Sequence, residues 1–106
     1  MVKRGDVWLA VLDPTVGSEI QKTRPCIVIS PPELNSHLRT AIVAPMTTGG
    51  RPAGFRVNLR FDGKDGLVLL DQIRALDKTR LVKRLGRVDY KTLMATLSIL
   101  RNIFED

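Results

Sequence analysis

Apolar runs separated by clusters of turn residues divide the chain into short strand-like segments. Asp6–Leu12 carries Val7, Trp8, Leu9, Ala10 and Val11 without polar interruption, the pattern of a strand buried on both faces. Asp13-Pro14 stops it, and a polar loop runs to Thr23. Pro25–Ile29 is a second, β-branched run closed by Ser30-Pro31-Pro32, and Thr40–Met46 is a third, ending in Thr47-Thr48-Gly49-Gly50. From Gly54 to Phe61 the pattern alternates, with Phe55, Val57, Leu59 and Phe61 on one face and Arg56, Asn58 and Arg60 on the other. A period of two predicts a half-buried strand, here with a basic outer face. Gly63-Lys64-Asp65-Gly66 reads as a turn and Gly66–Leu70 as another short strand. Asp71–Thr79 fits no single period, whereas Arg80–Val88 resumes a strand-like pattern around Leu81, Val82 and Leu85.

Asp89 is a favourable helix N-cap. After it, Tyr90, Leu93, Met94, Leu97, Leu100 and Phe104 recur at helical spacing, predicting an amphipathic C-terminal helix. Ile99 and Ile103 widen its apolar surface, which fits either contact with a second subunit or a broader core within one chain. Several short strands with one closing helix predict a mainly β fold, a small, strongly bent antiparallel barrel with the helix laid over its outside. The 106 residues make one domain, 1–106, long enough to bury its own core. Trp8, Phe55, Phe61, Tyr90 and Phe104 all read mostly as core side chains.

Composition narrows the chemistry. The apolar stretches fall far short of the ~20 residues needed to cross a bilayer, and no apolar leader follows the basic start Met1–Asp6, so a cytoplasmic protein is expected. The single cysteine, Cys26, lies in an apolar run and reads as a small core residue. His37 is the only histidine, so neither a zinc site of the usual kind nor a two-histidine acid–base mechanism is expected, and no metal or other cofactor is implied. A net charge of +6, from 17 Lys and Arg against 11 Asp and Glu, predicts attraction to a polyanion. The cations are spread through the chain and so decorate a folded surface.

Two places could carry chemistry. The loop Asp13–Arg24 holds Gly17, Ser18, Glu19, Gln21, Lys22, Thr23 and Arg24 between two core strands, and loops on rigid scaffolds are where function concentrates. Arg24 precedes Pro25, which biases it toward an extended backbone at the base of a strand. Thr47 opens a loop in which Gly49-Gly50 permits close approach of a ligand. Plainer readings stand beside these: a solvated arginine, and a β-branched residue at a strand end.

The set Lys3-Arg4-Gly5-Asp6-Val7-Trp8, Gly17-Ser18-Glu19, Thr23-Arg24-Pro25, Pro45-Met46-Thr47-Thr48 and Asp71-Gln72-Ile73-Arg74 resembles, in order and spacing, the MazF/PemK toxins of toxin–antitoxin pairs. The resemblance covers essentially the whole chain. It implies a dimeric SH3-like barrel, similar in fold to the gyrase-poisoning CcdB toxins, that cleaves single-stranded RNA within short sequences. It also implies an antitoxin whose acidic, largely disordered tail wraps the toxin. The family's catalytic arginine and threonine correspond to Arg24 and Thr47, and Glu19 matches a loop acid implicated in some members. Some members use a histidine and a further arginine where this chain has Ser18 and Leu69. Their acid–base scheme therefore does not carry over.

RNA supplies its own nucleophile, the 2′-OH, so the residues expected to act are those that align it and hold the phosphate. Arg24 is suited to clamp phosphate and Thr47 to donate a hydroxyl; Glu19 either accepts from RNA or pairs with Lys22 or Arg24. Phosphate contacts are expected from Lys22, Arg51, Arg56 and Lys78, and further RNA contacts from Ser18, Gln21, Thr48 and Gln72. The alternatives are a non-catalytic nucleic-acid-binding barrel and a CcdB-like topoisomerase poison.

Overall fold

Three apolar strands in the middle of the sheet set the architecture. The computed structural model, which describes residues 1–106, pairs β1 (Asp6–Val11) antiparallel with β2 (Thr23–Val28), and β2 antiparallel with β3 (Thr40–Thr47). The outer edge of β3 is shared. Its last residues pair with β5 (Lys64–Leu69) and its first with β6 (Arg74–Asp77). Pro45, which has no N–H to donate, lies between those two ladders, where the edge changes partner. β4 (Arg56–Phe61) extends the sheet beyond β5, and β7 (Leu81–Arg87) extends it beyond β1. The sheet is a curled antiparallel half-barrel closed on one side by α2 (Tyr90–Ile103).

Successive side chains on a strand point to opposite faces, so a strand apolar at every position needs cover on both. In β2, Ile27 enters a cluster with Val7, Ala44, Met46, Val57, Val68, Leu70 and Leu93. Cys26 and Val28 enter a second cluster with Ala10, Leu12, Ala41, Val43, Leu76 and Leu81. The β4–β5 hairpin and α2 cover the first; β6, the start of β7 and the loop through Ile20 cover the second. Asp6, only 1% exposed, ties β7 to this frame. It accepts the Lys3 N–H at 3.0 Å and faces the guanidinium groups of Arg84 and Arg87 at 3.3 and 3.5 Å.

Local chemistry accounts for the remaining elements. Asp89 caps α2, its Oδ1 accepting the Thr92 N–H at 2.7 Å, and Leu93, Met94, Leu97, Ile99 and Leu100 pack inward. Tyr90 and Phe104 do not: they are 75% and 73% exposed, because they flank the stretch of helix that meets the sheet. The reading of aromatics as core is thus corrected for Tyr90, Phe104 and the 45%-exposed Phe55. The turn placed at Gly63–Gly66 is tighter. Asp62 and Gly63 both take positive φ, 52° and 76°, as a two-residue hairpin with Asp-Gly requires, and β5 begins at Lys64. The segment without a clear period, Asp71–Thr79, holds β6 with a 3-10 turn on each side, Leu70–Gln72 and Lys78–Arg80. A short helix, α1 (Pro32–His37), starts on a proline at its first turn, a position where the missing N–H is harmless.

Ile27, fully buried between the sheet's centre and its cover, is the side chain on which this packing is tested most directly. Replacing it with alanine is expected to cost about 2–5 kcal/mol, read as a lower urea midpoint with an unchanged slope.

Candidate active site

The pairing that builds the core also builds a cleft at its end. Cys26 lies opposite Pro45, Ile27 opposite Ala44 and Val28 opposite Val43. Continuing that register sets Arg24 level with Thr47, at the point where β2 begins and β3 ends. Both residues line one open cleft of about 240 Å³, together with Pro25, Thr48, Leu59, Phe61, Asp62, Lys64 and Leu85. Leu85 is there because β7 bulges: the pairing with β1 skips from Gly86 to Arg84, leaving Leu85 out of the ladder.

Arg24 is held from behind. Its Nε donates to the Gln21 carbonyl at 2.7 Å, and no carboxylate pairs with its terminal nitrogens. Thr47 Oγ1 accepts the Gly49 N–H at 3.2 Å, which leaves its hydroxyl proton available to a ligand. The main chain of Thr47 rests on Gly66, where a Cβ would stand 2.7 Å from the Thr47 carbonyl oxygen. Gly66 is therefore a site residue that sequence reasoning missed, because it reads as the end of a turn; the structure sets it inside β5, where a glycine marks close backbone approach.

The other candidates divide into three groups. Thr48 shares the cleft, whereas Ser18, Glu19 and Gln72 line a second cavity of about 470 Å³ with Ile20, Asp71, Ile73 and Arg74. Glu19 is engaged within its own loop, accepting the Val16 N–H at 2.6 Å. Gln21 and Lys22 are exposed beside Arg24, and Lys22 takes a positive φ of 76° with its N–H on Asp13 Oδ2 at 3.1 Å. Arg51 is exposed on the loop after Thr48. Arg56 is not a free cation: Asp71 receives its Nε and Nη2, each at 3.0 Å. Lys78 lies at the far end of β3, beside Thr40, roughly 20 Å along the strand from Thr47. Its ammonium meets the Asn35 carbonyl. Two charged groups not foreseen for the site, Asp62 and Lys64, are brought into the cleft by the tight hairpin.

Electrostatics sharpen the roles. Burial pushes the Cys26 thiol up to about 12, offset only in part by Arg74 and Arg24, so it is no nucleophile at neutral pH. Hydrogen bonding from Arg56 holds the Asp71 carboxyl below the usual carboxylate range. That group contributes stability above about pH 4 and loses it as the pH falls through its depressed value. No three His, Cys, Asp or Glu side chains converge, and no helix is long and apolar enough to cross a membrane.

The chain is thus a small β protein, a curled half-barrel with a C-terminal helix and with an arginine and a threonine in one cleft. Residues 3–104 match the family described as PemK-like, MazF-like toxin of type II toxin–antitoxin system, and the chain belongs to that family. Endoribonuclease PemK of Escherichia coli is 42% identical over 108 residues, covering 96% of this chain and 81% of the relative. Endoribonuclease EndoA of Bacillus subtilis is 40% identical over 95 residues, covering 84% and 82%. The crystal structure of MazF from Deinococcus radiodurans superposes with a TM-score of 0.85 at 26% identity, covering 96% of this chain and 94% of that one.

Gly66→Ala is expected to leave a folded protein by circular dichroism while displacing Thr47. RNA cleavage should fall roughly ten- to hundredfold, since small misplacements of an aligned group cost that much.

Proposed function

We propose that this chain is a metal-independent, sequence-specific endoribonuclease that cuts single-stranded RNA by attack of the substrate's own 2′-OH. The observation that carries the reading is the β2–β3 register, which sets a carboxylate-free Arg24 level with Thr47 in one cleft. Arg24 offers two terminal nitrogens in a planar fork to the scissile phosphate, and its backbone-anchored Nε keeps that fork aimed. Thr47 donates its hydroxyl to the same phosphate. Charge that develops on the phosphorane-like transition state meets donors already in place. A guanidinium stays protonated, so Arg24 acts as a clamp rather than a proton shuttle.

Glu19 faces the second cavity and acts where the RNA passes over it. The exposed loop cations Lys22 and Arg51 supply phosphate contacts, with Ser18, Gln21 and Thr48 beside the bases. Phe55, exposed and with the Arg56 guanidinium carbon 5.8 Å from its ring centroid, offers a stacking surface near the same loop. The toxin acts in the cytoplasm as a single-domain protomer of a homodimer, on messenger or structural RNA, and so arrests translation. Its neutraliser is an acidic antitoxin segment that covers the cationic face and blocks RNA at the same time.

The test is cleavage of a defined single-stranded RNA by purified protein in EDTA at low salt. Discrete fragments ending in 2′,3′-cyclic phosphate are expected, and cutting should weaken steeply as salt rises. Arg24→Ala should remain folded and lose about a hundredfold or more in rate, with Thr47→Ala impaired about tenfold or more. No site-specific cutting by the wild type, or an Arg24→Ala variant as active as wild type, overturns the reading.

A further inference from the structure

One turn of 3-10 helix, Leu70–Gln72, touches both loops that flank the cleft. Leu70 roots it, 2% exposed in the first core cluster. The next two side chains reach outward in different directions. Asp71 receives Arg56 through two bonds of 3.0 Å, and Arg56 Nη1 goes on to donate to the Arg51 carbonyl at 3.1 Å. Thr47 belongs to the same knot. A Cβ at Gly50 would stand 3.1 Å from Thr47 Cγ2 and 3.5 Å from Arg56 Nη1. Gln72 holds the other loop: its Oε1 accepts the Ile20 N–H at 2.6 Å, and its Nε2 lies 3.4 Å from the Ser18 carbonyl.

From this geometry we infer that Asp71 and Gln72 form a bracket that fixes the spacing between the Ser18–Lys22 loop and the Thr47–Arg56 loop. They are positioning residues that select which RNA sequence is cut. The inference rests on the ribonuclease reading for its consequence, though not for its geometry. Adjacent residues on one rooted turn move together, so neither loop can shift without breaking bonds to a shared support. Gln72 spends both ends of its amide on loop backbone. Arg56 directs Nε and both terminal nitrogens at protein oxygens. Both side chains are thereby tied to protein oxygens and loop backbone.

Gln72→Glu and Gln72→Met separate this role from direct contact with RNA. Glutamate keeps an oxygen acceptor for the Ile20 N–H, whereas methionine keeps the volume and removes the acceptor. The bracket predicts that Gln72→Met lowers kcat about tenfold with a smaller change in KM and spreads cutting over near-matching sequences. Gln72→Glu should stay closer to wild type in both. Asp71→Asn should behave like Gln72→Met, and the charge-exchanged double variant Arg56→Asp with Asp71→Arg should recover part of the selectivity. If Gln72→Glu is the more damaged of the pair while its Ile20 amide stays as protected as in the wild type, its added negative charge is repelling RNA at a direct contact and the bracket is wrong. Amide hydrogen exchange gives a readout that needs no RNA: Ile20 should exchange faster in Gln72→Met than in Gln72→Glu. Equal protection in both overturns the bracket, and loss of all wild-type cutting with this exchange difference intact overturns only the ribonuclease reading.

Discussion

Burial of β2 on both of its faces is the constraint from which the rest of the molecule follows. Ile27 and the Cys26–Val28 pair point in opposite directions, and each direction is fully excluded from solvent. A flat sheet of this length cannot cover itself twice. The chain solves the problem by curling: one end folds back as the β4–β5 hairpin under α2, and the other wraps through β6, β7 and the Ile20 loop. Polar devices hold the wrap in place. Asp6 draws Arg84 and Arg87 to β1, and Arg74 and Arg80 donate to the carbonyls of Leu12, and of Val11 and Asp13, at the stem of the loop.

The cleft lies where that double cover ends. Beyond Cys26 the strand surfaces, so the Arg24 side chain can reach solvent while its backbone remains braced by β1. Opposite it, β3 surfaces at Thr47. The cations of the chain are sorted by the same logic. Those that face carboxylates, Arg56, Arg60, Arg84 and Arg87, fasten elements together. Arg24 has only a backbone carbonyl, and its charge is matched by no carboxylate. A net excess of positive charge therefore understates the organisation, since part of it is structural mortar and part is binding surface.

Much of the frame was legible in the sequence because local periodicity sufficed. Strands around Val7–Val11, Ile27–Val28, Ala41–Met46 and Val57–Phe61, the Asp89 cap and the inertness of Cys26 all follow from neighbours within a few positions. What was not legible depended on partners far along the chain. The alternation of Arg56 with Phe55 and Val57 says that it faces outward, but Asp71, fifteen positions away, decides that it is bound. Lys78 looked like any other surface cation until the β3–β6 register carried it to the opposite end of the sheet. Tyr90 and Phe104 fit the helical spacing, yet the sheet is too short to meet them. Gln72 carried a motif, but its role as a loop support required knowing which backbone amide it faces.

The chain contains one tryptophan, Trp8. Its indole packs against the second core cluster, as does Ile20 of the loop between β1 and β2, and its buried Nε1 has no hydrogen-bond partner. Water or a polar group admitted there by a loosened loop would find a ready donor and would alter the polarity around the only indole in the molecule. The fold thus contains its own fluorophore on the side of the core that the loop covers. Seating of that loop can be followed by light, in the unlabelled protein, while RNA or an inhibitor arrives.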